Sequence, residues 1–281
     1  MENFLEIIND YPRKLQIPFS GNEIKYPILV KHINSVLLCG GFFNKGCLKL
    51  ENGSLKLHSI LNRERSLATA VTINSEVFIF GGPYGEDTYE YLPKDSSKWI
   101  LGKGNMPENI SDAVAVANES KQEILLIGGR ETYKRILKFN VKEHTFEELS
   151  TKLIFGRYGH RCAFIPGTKK IIITGGCNLE YSSMSSTEIL DTENYSITMA
   201  QNQMDMGRSH HGIGIITIND EERLAVFGGI DVRWGTGPLN SVEIYNANTQ
   251  KWEMSDMKFS GKRYAFGFLN VKLKDVSKLR A

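Results

Sequence analysis

The sequence predicts an all-β fold in which a four-stranded unit repeats around a ring. Five Gly-Gly pairs recur along the 281 residues, and each pair ends a short apolar run. A near-constant period of this length is typical of radial repeat folds. Short stretches rich in β-branched and aromatic residues, separated by turn-forming residues, argue against a helical alternative. The first glycines of the pairs are Gly40, Gly81, Gly128, Gly175 and Gly228.

Each repeat contains four predicted strands, which we label A to D in chain order. Strand B is the apolar run into Gly-Gly, and its near-continuous hydrophobicity is typical of a strand buried on both faces. Strand C alternates apolar and polar residues and ends in Asn or Asp, as in residues 187–191 and 242–246. Strand D carries one large apolar residue in each repeat, and this column contains Leu55, Trp99, Phe146, Ile197 and Trp252.

Strand A opens the next repeat, and a basic residue usually precedes it. In the aligned repeats this column contains Arg65, Arg157, Arg208 and Arg263, with Lys25 and Asn109 in the two remaining units.

The two ends of the chain supply the strands of a further unit. Residues 3–9 match strand C, residues 14–16 match strand D, and residues 263–269 resemble strand A. We therefore predict a six-bladed β-propeller whose incomplete sixth blade combines residues 263–281 with residues 1–20. Joining the ends in one sheet would protect edges that otherwise pair with other chains. The single domain spans 1–281, with complete repeats at 25–62, 63–106, 107–154, 155–205 and 206–260.

Composition argues against several classes of partner. The chain has 34 Lys and Arg against 32 Asp and Glu, a net charge of +2, which indicates neither a nucleic-acid nor a membrane partner. Residues 1–6 are acidic and lack the apolar stretch of a secretory signal, so a cytoplasmic location is expected. The four cysteines are expected to be buried thiols, although Cys39 and Cys47 flank one loop and could form a bridge.

These features resemble the kelch repeat, which has an apolar run into Gly-Gly, a Tyr on strand C and a Trp on strand D. Residues 208–252 are the clearest copy, with Gly228-Gly229, Tyr245 and Trp252 in that order. The resemblance covers nearly the whole chain and extends to the kelch domains of BTB-kelch substrate receptors. It implies a non-enzymatic protein-interaction module, used in many relatives as a substrate-recognition subunit of a cullin-type ubiquitin ligase. Any adaptor domain for that role is expected outside this chain, because the repeats begin within the first ten residues.

The candidate ligand contacts are five arginines and one tryptophan. Rotational repetition would place the arginines before strand A around one rim, where guanidiniums could bind the acidic side chains of a peptide or protein. By resemblance to substrate receptors, the arginine directly after Gly128-Gly129 joins this set. The alternative is that the arginines pair with carboxylates of neighbouring blades. The full set is Arg65, Arg130, Arg157, Arg208, Arg263 and Trp234.

Trp234 lies in residues 229–238, the longest loop between strands B and C in the aligned units. A Trp beside an Arg on an exposed loop is typical of an interaction hot spot. Alternatively, Trp234 folds back over its own blade. The second long loop, residues 177–183, is expected to flank the first.

No catalytic group, metal site or cofactor is predicted. His160 and His211 share one aligned column, but no repeated Asp, Glu or Cys accompanies them, so buried structural histidines are favoured over a zinc site. Glu6, Glu188 and Glu243 align on strand C of separate blades, where solvation or ion pairing is favoured over acid–base chemistry. The alternative function is a carbohydrate-active kelch-like enzyme of the oxidase or mutarotase type, although no credible set of copper ligands is apparent.

Overall fold

A computed structural model describes residues 26–33, 35–51, 54–82, 87–103, 106–218, 220–233, 236–258 and 262. These residues form five four-stranded sheets and one two-stranded ribbon, together with a short 3₁₀ helix at Glu119–Lys121. Within these ranges no helix has the length and apolarity needed to cross a membrane. The chain is an all-β propeller with five blades in its described part, and almost all of its regular structure is strand.

Each blade follows the predicted order of strands A, B, C and D, and neighbouring strands pair antiparallel. Blade one contains β1 (Ile28–His32), β2 (Ser35–Cys39), β3 (Gly46–Glu51) and β4 (Ser54–Ile60). Blade two contains β5 (Thr69–Ile73), β6 (Glu76–Phe80), β7 (Tyr89–Leu92) and β8 (Ile100–Leu101). Blade three contains β9 (Val114–Asn118), β10 (Glu123–Ile127), β11 (Ile136–Asn140) and β12 (Thr145–Glu148).

Blade four contains β13 (Arg161–Phe164), β14 (Lys170–Thr174), β15 (Thr187–Asp191) and β16 (Ile197–Met199). Blade five contains β17 (Gly212–Ile218), β18 (Glu221–Phe227), β21 (Ser241–Asn246) and β22 (Lys251–Lys258). The ribbon, β19 (Ile230–Asp231) with β20 (Gly237–Pro238), lies in the loop between strands B and C of blade five. The blades fall into two compact units: the first holds blades one to three, and the second holds blades four and five with Tyr133–Arg135.

Each strand B ends directly before its Gly-Gly pair. In blades one, two and four the start of the next blade passes against these glycines. Gly81 has a φ of +67°, and an added Cβ would lie 2.0 Å from the carbonyl oxygen of Ile110. The next residue, Gly82, donates its N–H to the same oxygen at 2.8 Å. Glycine is therefore required both for the backbone angle and for the close approach. The same bond recurs from Gly41 to Arg65 (2.7 Å) and from Gly176 to Arg208 (2.8 Å).

The apolar columns of strands C and D pair across the sheet in four blades. The pairs are Leu50–Leu55, Phe139–Phe146, Leu190–Ile197 and Tyr245–Trp252. Blade two differs by one residue, since Tyr91 faces Ile100 and Trp99 precedes the strand. The buried Trp99 instead donates its Nε1–H to Ser59 Oγ of blade one at 2.9 Å, so its indole links two blades.

The predicted sixth blade, residues 263–281 with 1–20, lies outside the described residues. Arg263, Lys25 and Trp234 also lie outside them.

Candidate functional site

Three arginines of the predicted rim are completely buried, and each forms an ion pair with a glutamate on strand C of its own blade. This pairing lies within a blade, not between neighbouring blades as the alternative interpretation expected. We call each such pair an Arg–Glu clamp. The clamps are Arg65–Glu90 (3.0 Å), Arg157–Glu188 (2.6 Å) and Arg208–Glu243 (2.5 Å).

The Arg157 clamp fastens three parts of blade four. The guanidinium donates to the carbonyl oxygen of Gly175 at 2.7 Å, and to the carbonyl oxygen and hydroxyl of Ser186 at 3.1 and 3.0 Å. The Glu188 carboxylate in turn accepts the backbone N–H groups of Ile154 and Phe155 at 2.8 and 3.0 Å. The clamp therefore holds the loop that enters strand A against the ends of strands B and C.

Burial is the largest influence on the pKa of Arg157 and lowers it, while the Glu188 carboxylate opposes that shift. An arginine in a protein keeps its charge, so the pair consists of two buried opposite charges. Both side chains have no exposed area. Direct ligand contact by Arg65, Arg157 and Arg208 stays a prediction, and it would require the clamps to open.

Blade three has no arginine at this position and is held differently. The carbonyl that meets Gly82 belongs to Ile110, one residue after the Asn109 expected from the aligned repeats. The Glu131 carboxylate, in the loop between strands B and C, accepts the N–H and the hydroxyl of Ser111 at 2.8 Å each. A carboxylate thus fixes the start of strand A here as well, without a buried cation.

Arg130 is the predicted ligand contact that is both described and exposed. Its side chain is 42% exposed and pairs with the largely buried Asp112 at 2.6 Å. It belongs to the first unit. Its guanidinium is accessible to a ligand, which is not the case for the three clamp arginines.

The two long loops of the second unit lie side by side, as predicted. Ser183 Oγ donates to the carbonyl of Ile230 and accepts the N–H of Val232, both at 3.1 Å. On the other side, the N–H of Leu179 donates to the Tyr133 hydroxyl at 2.9 Å. Side chains therefore fix the conformation of loop 177–183 at both ends.

These fixed loops expose apolar side chains that the sequence analysis did not single out. Tyr181 is 70% exposed and Leu179 is 65% exposed, and Val232 and Phe155 are also exposed. The signal was present as two large apolar residues in the segment Asn-Leu-Glu-Tyr, which begins two residues after the Gly-Gly pair of blade four. We call the exposed set the loop surface; it consists of Ile154, Phe155, Leu179, Tyr181 and Val232.

No family model matches the sequence. A kelch repeat-containing protein from Dictyostelium discoideum is 24% identical over 201 residues, which is 64% of this chain and 30% of that protein. The matched region therefore spans less than a third of the relative's length. This similarity agrees with the Gly-Gly repeat and with the four-stranded blades that follow it. The chain is therefore an all-β propeller that is similar in sequence to a kelch repeat-containing protein. A kelch propeller is in general a protein-interaction module.

The two aligned histidines of the propeller lie in structural surroundings. His160 and His211 are completely buried, and His211 Nε2 lies 2.9 Å from the Thr174 hydroxyl. Burial, followed by the charge of Arg161, lowers the pKa of His211 well below its usual value. In the part of the chain that the structure describes, no three His, Cys, Asp or Glu side chains are grouped to hold a metal ion.

The cysteines of the propeller differ from the expectation of four thiols. Cys39 and Cys47 face each other across β2 and β3 and form a disulfide, with their Cα atoms 4.0 Å apart. The favoured expectation was therefore wrong for this pair, and the bridge left open in the sequence analysis is present. Cys162 and Cys177 are free thiols, and burial raises the pKa of Cys162.

Proposed function

We propose that this kelch propeller binds a protein partner on the loop surface and performs no catalysis itself. The observation that carries the proposal is the set of exposed apolar side chains on loops that are already fixed by hydrogen bonds. Exposed apolar clusters mark interaction sites, and tyrosine is enriched among residues that dominate binding. Loops that are ordered before binding lose less conformational entropy when the partner arrives.

Contacts within the second unit support a continuous surface. The Tyr133 ring packs against Gly156, where an added Cβ would lie 2.2 Å from it, and its hydroxyl holds Leu179. The rings of Tyr158 and Tyr181 have centroids 6.5 Å apart. The loops therefore follow one another through direct contacts, and the Arg157 clamp fixes the backbone of the preceding segment.

We further propose that the partner carries acidic groups. Lys134 and Lys152 are exposed beside the loop surface, and the N–H of Leu153 donates to the Lys134 carbonyl at 2.9 Å, which holds the two segments together. Glu180 is the acidic residue of loop 177–183. Exposed cations beside a binding surface favour an acidic peptide or protein, mainly through its rate of association. Arg130, in the first unit, is retained as a candidate contact.

Substrate recognition for a cullin-type ubiquitin ligase is the finer form of this proposal. It rests on the resemblance to BTB-kelch receptors and requires an adaptor outside this chain. A cytoplasmic location and a sixth blade made of residues 263–281 and 1–20 belong to the same proposal. The carbohydrate-active alternative receives no specific support from the described residues.

The experiment is quantitative affinity capture with a Leu179→Ser/Tyr181→Ser variant of the full chain. We expect recovery of the specific partner to fall by about 10-fold or more, because two central apolar side chains are removed. The matched control is Leu57→Ser/Ile60→Ser, which alters two aliphatic residues that are 53% and 62% exposed on β4. Thermal unfolding of each bait confirms that it is folded. Equal recovery of every captured protein by wild type and the loop variant would contradict the proposal.

A further inference from the structure

Two histidines of blade one bring their imidazole rings close together. His32, the last residue of β1, is 4% exposed, and the half-buried His58 lies on β4. Their ring centroids are 5.7 Å apart. The Nε2 atom of each ring is buried and has no hydrogen-bond partner. Buried polar atoms in proteins nearly always have a partner, so these two nitrogens are candidates to bind one common ligand.

A β-bulge positions His58 for this contact. Ser59 pairs with Cys47 and Leu57 pairs with Leu48, so the register shift leaves His58 without a residue opposite it. A bulge of this kind redirects one side chain and is often found next to a functional site. Without the bulge, the side chain of His58 would follow the regular alternation of side chains along β4.

The spacing of the rings fits coordination of one ion. For a Zn–N bond of about 2.0–2.1 Å and a ring radius of about 1.1 Å, tetrahedral coordination places two imidazole centroids about 5.2 Å apart. The observed distance between the ring centroids is 5.7 Å. A small movement of the two side chains would bring the rings to the coordinating distance.

Local charge is compatible with a cation, even though a lysine lies nearby. Lys49 pairs with Glu51 at 3.0 Å, which offsets the ammonium charge.

We propose that His32 and His58 bind one divalent transition-metal ion of the zinc type through their Nε2 atoms, with water completing its coordination. The ion links β1 to β4, the first and last strands of blade one. Imidazole ligands select zinc-type ions over magnesium or calcium, which prefer oxygen. The site is independent of the loop surface, and its failure would leave the proposed function untouched.

Calorimetric titration of the full chain with ZnCl₂ at pH 7.5 tests the proposal, with thermal unfolding measured in parallel. We expect one zinc ion per chain, a rise in the unfolding temperature, and no effect of MgCl₂. His58→Gln is expected to weaken zinc binding at least about 10-fold, because one of two protein ligands is lost. Lys49→Met is expected to tighten binding, because a nearby cation is removed.

The matched control is His144→Gln, which removes a half-buried histidine of blade three and should bind zinc like wild type. His58 is half-buried, so the His58→Gln chain should fold. Circular dichroism of this variant verifies that it does. Absence of zinc binding by the wild type would overturn the proposal. Equal zinc affinity in wild type and His58→Gln would also overturn it, since other ligands would then hold the ion.

Discussion

Glu188 Oε1 lies 2.6 Å from the Arg157 guanidinium, and neither side chain has any exposed area. The arginine precedes strand A and the glutamate lies on strand C, so their contact closes the end of blade four beside Gly175. Two opposite charges in a buried site stabilise each other only while both are present. A single substitution in the clamp should therefore lower the free energy of unfolding by a large amount.

Arg157→Met should lower the free energy of unfolding by about 3–5 kcal/mol, because it leaves the Glu188 charge buried without its partner. Urea unfolding followed by tryptophan fluorescence measures the change. The matched control is Arg223→Met, which breaks the solvent-exposed pair with Glu221 and should cost about 1 kcal/mol or less. Equal losses for the two variants would show that the buried pair contributes no more than a surface pair.

A second prediction concerns the close approach at the Gly-Gly pair of blade four. Gly175 has a φ of +60°, and an added Cβ would lie 2.3 Å from the carbonyl oxygen of Arg208. Gly167 has a φ of +70°, but an added Cβ there would meet nothing within 4 Å. The two positions have the same backbone requirement and differ in the space available.

Gly167→Ala should therefore cost about 1–2 kcal/mol from the left-handed backbone alone. Gly175→Ala should cost about 2–3 kcal/mol more, because the backbone of the next blade must move to admit the methyl group. Urea unfolding of both variants gives the difference. If the two losses are the same, the conformation of Gly175 matters and the close approach to Arg208 does not.

The repeat and its strands could be predicted because they depend on local pattern. A strand buried on both faces must be apolar throughout, and the chain must leave it through glycine where the next blade approaches. Every strand B accordingly ends at its predicted Gly-Gly pair. The alignment was off by one residue at Ile110, because an insertion or deletion in a loop leaves no trace in the apolar pattern.

The candidate site was less predictable, because alignment places a residue in a column without showing where its side chain points. Arg157 and Glu188 were each recognised as members of a column, but their mutual contact depends on how the loop before strand A returns to the sheet. Glu90 was missed as a third partner of this kind. Leu179 and Tyr181 could be read as ordinary loop residues, since their exposure results from the hydrogen bonds that fix the loop.

A third prediction follows from His211, whose pKa is lowered by burial and by the nearby charges of Arg161 and Arg208, with further contributions from His160 and His210. Above pH 6.5 this histidine is neutral in both the folded and the unfolded chain, so its contribution to stability is complete. Below pH 6.5 the unfolded chain binds a proton that the folded chain does not. The free energy of unfolding should therefore fall by up to about 1.4 kcal/mol per pH unit for this group.

Urea unfolding between pH 8 and pH 5 measures this slope. The pKa values of His32, His58 and His144 are lowered as well, chiefly by burial, and add to the slope of the wild type. His211→Gln should reduce the pH dependence of the free energy of unfolding below pH 6.5. Above pH 7 the free energy of unfolding should stay independent of pH in this variant, whatever its absolute value. An unchanged slope would mean that His211 is protonated equally in both states.

The last prediction concerns the cysteines. Because Cys39 and Cys47 are bonded across β2 and β3, protein denatured without reductant should be alkylated at Cys162 and Cys177 alone. Mass spectrometry should therefore find two iodoacetamide adducts before reduction and four after it. The native chain should react slowly at Cys162, because burial raises the pKa of its thiol and the thiolate is the reactive form. Four adducts without reductant, in protein alkylated directly on lysis, would show that the bridge is absent in the cell and would agree with the predicted cytoplasmic location, where thiols are kept reduced.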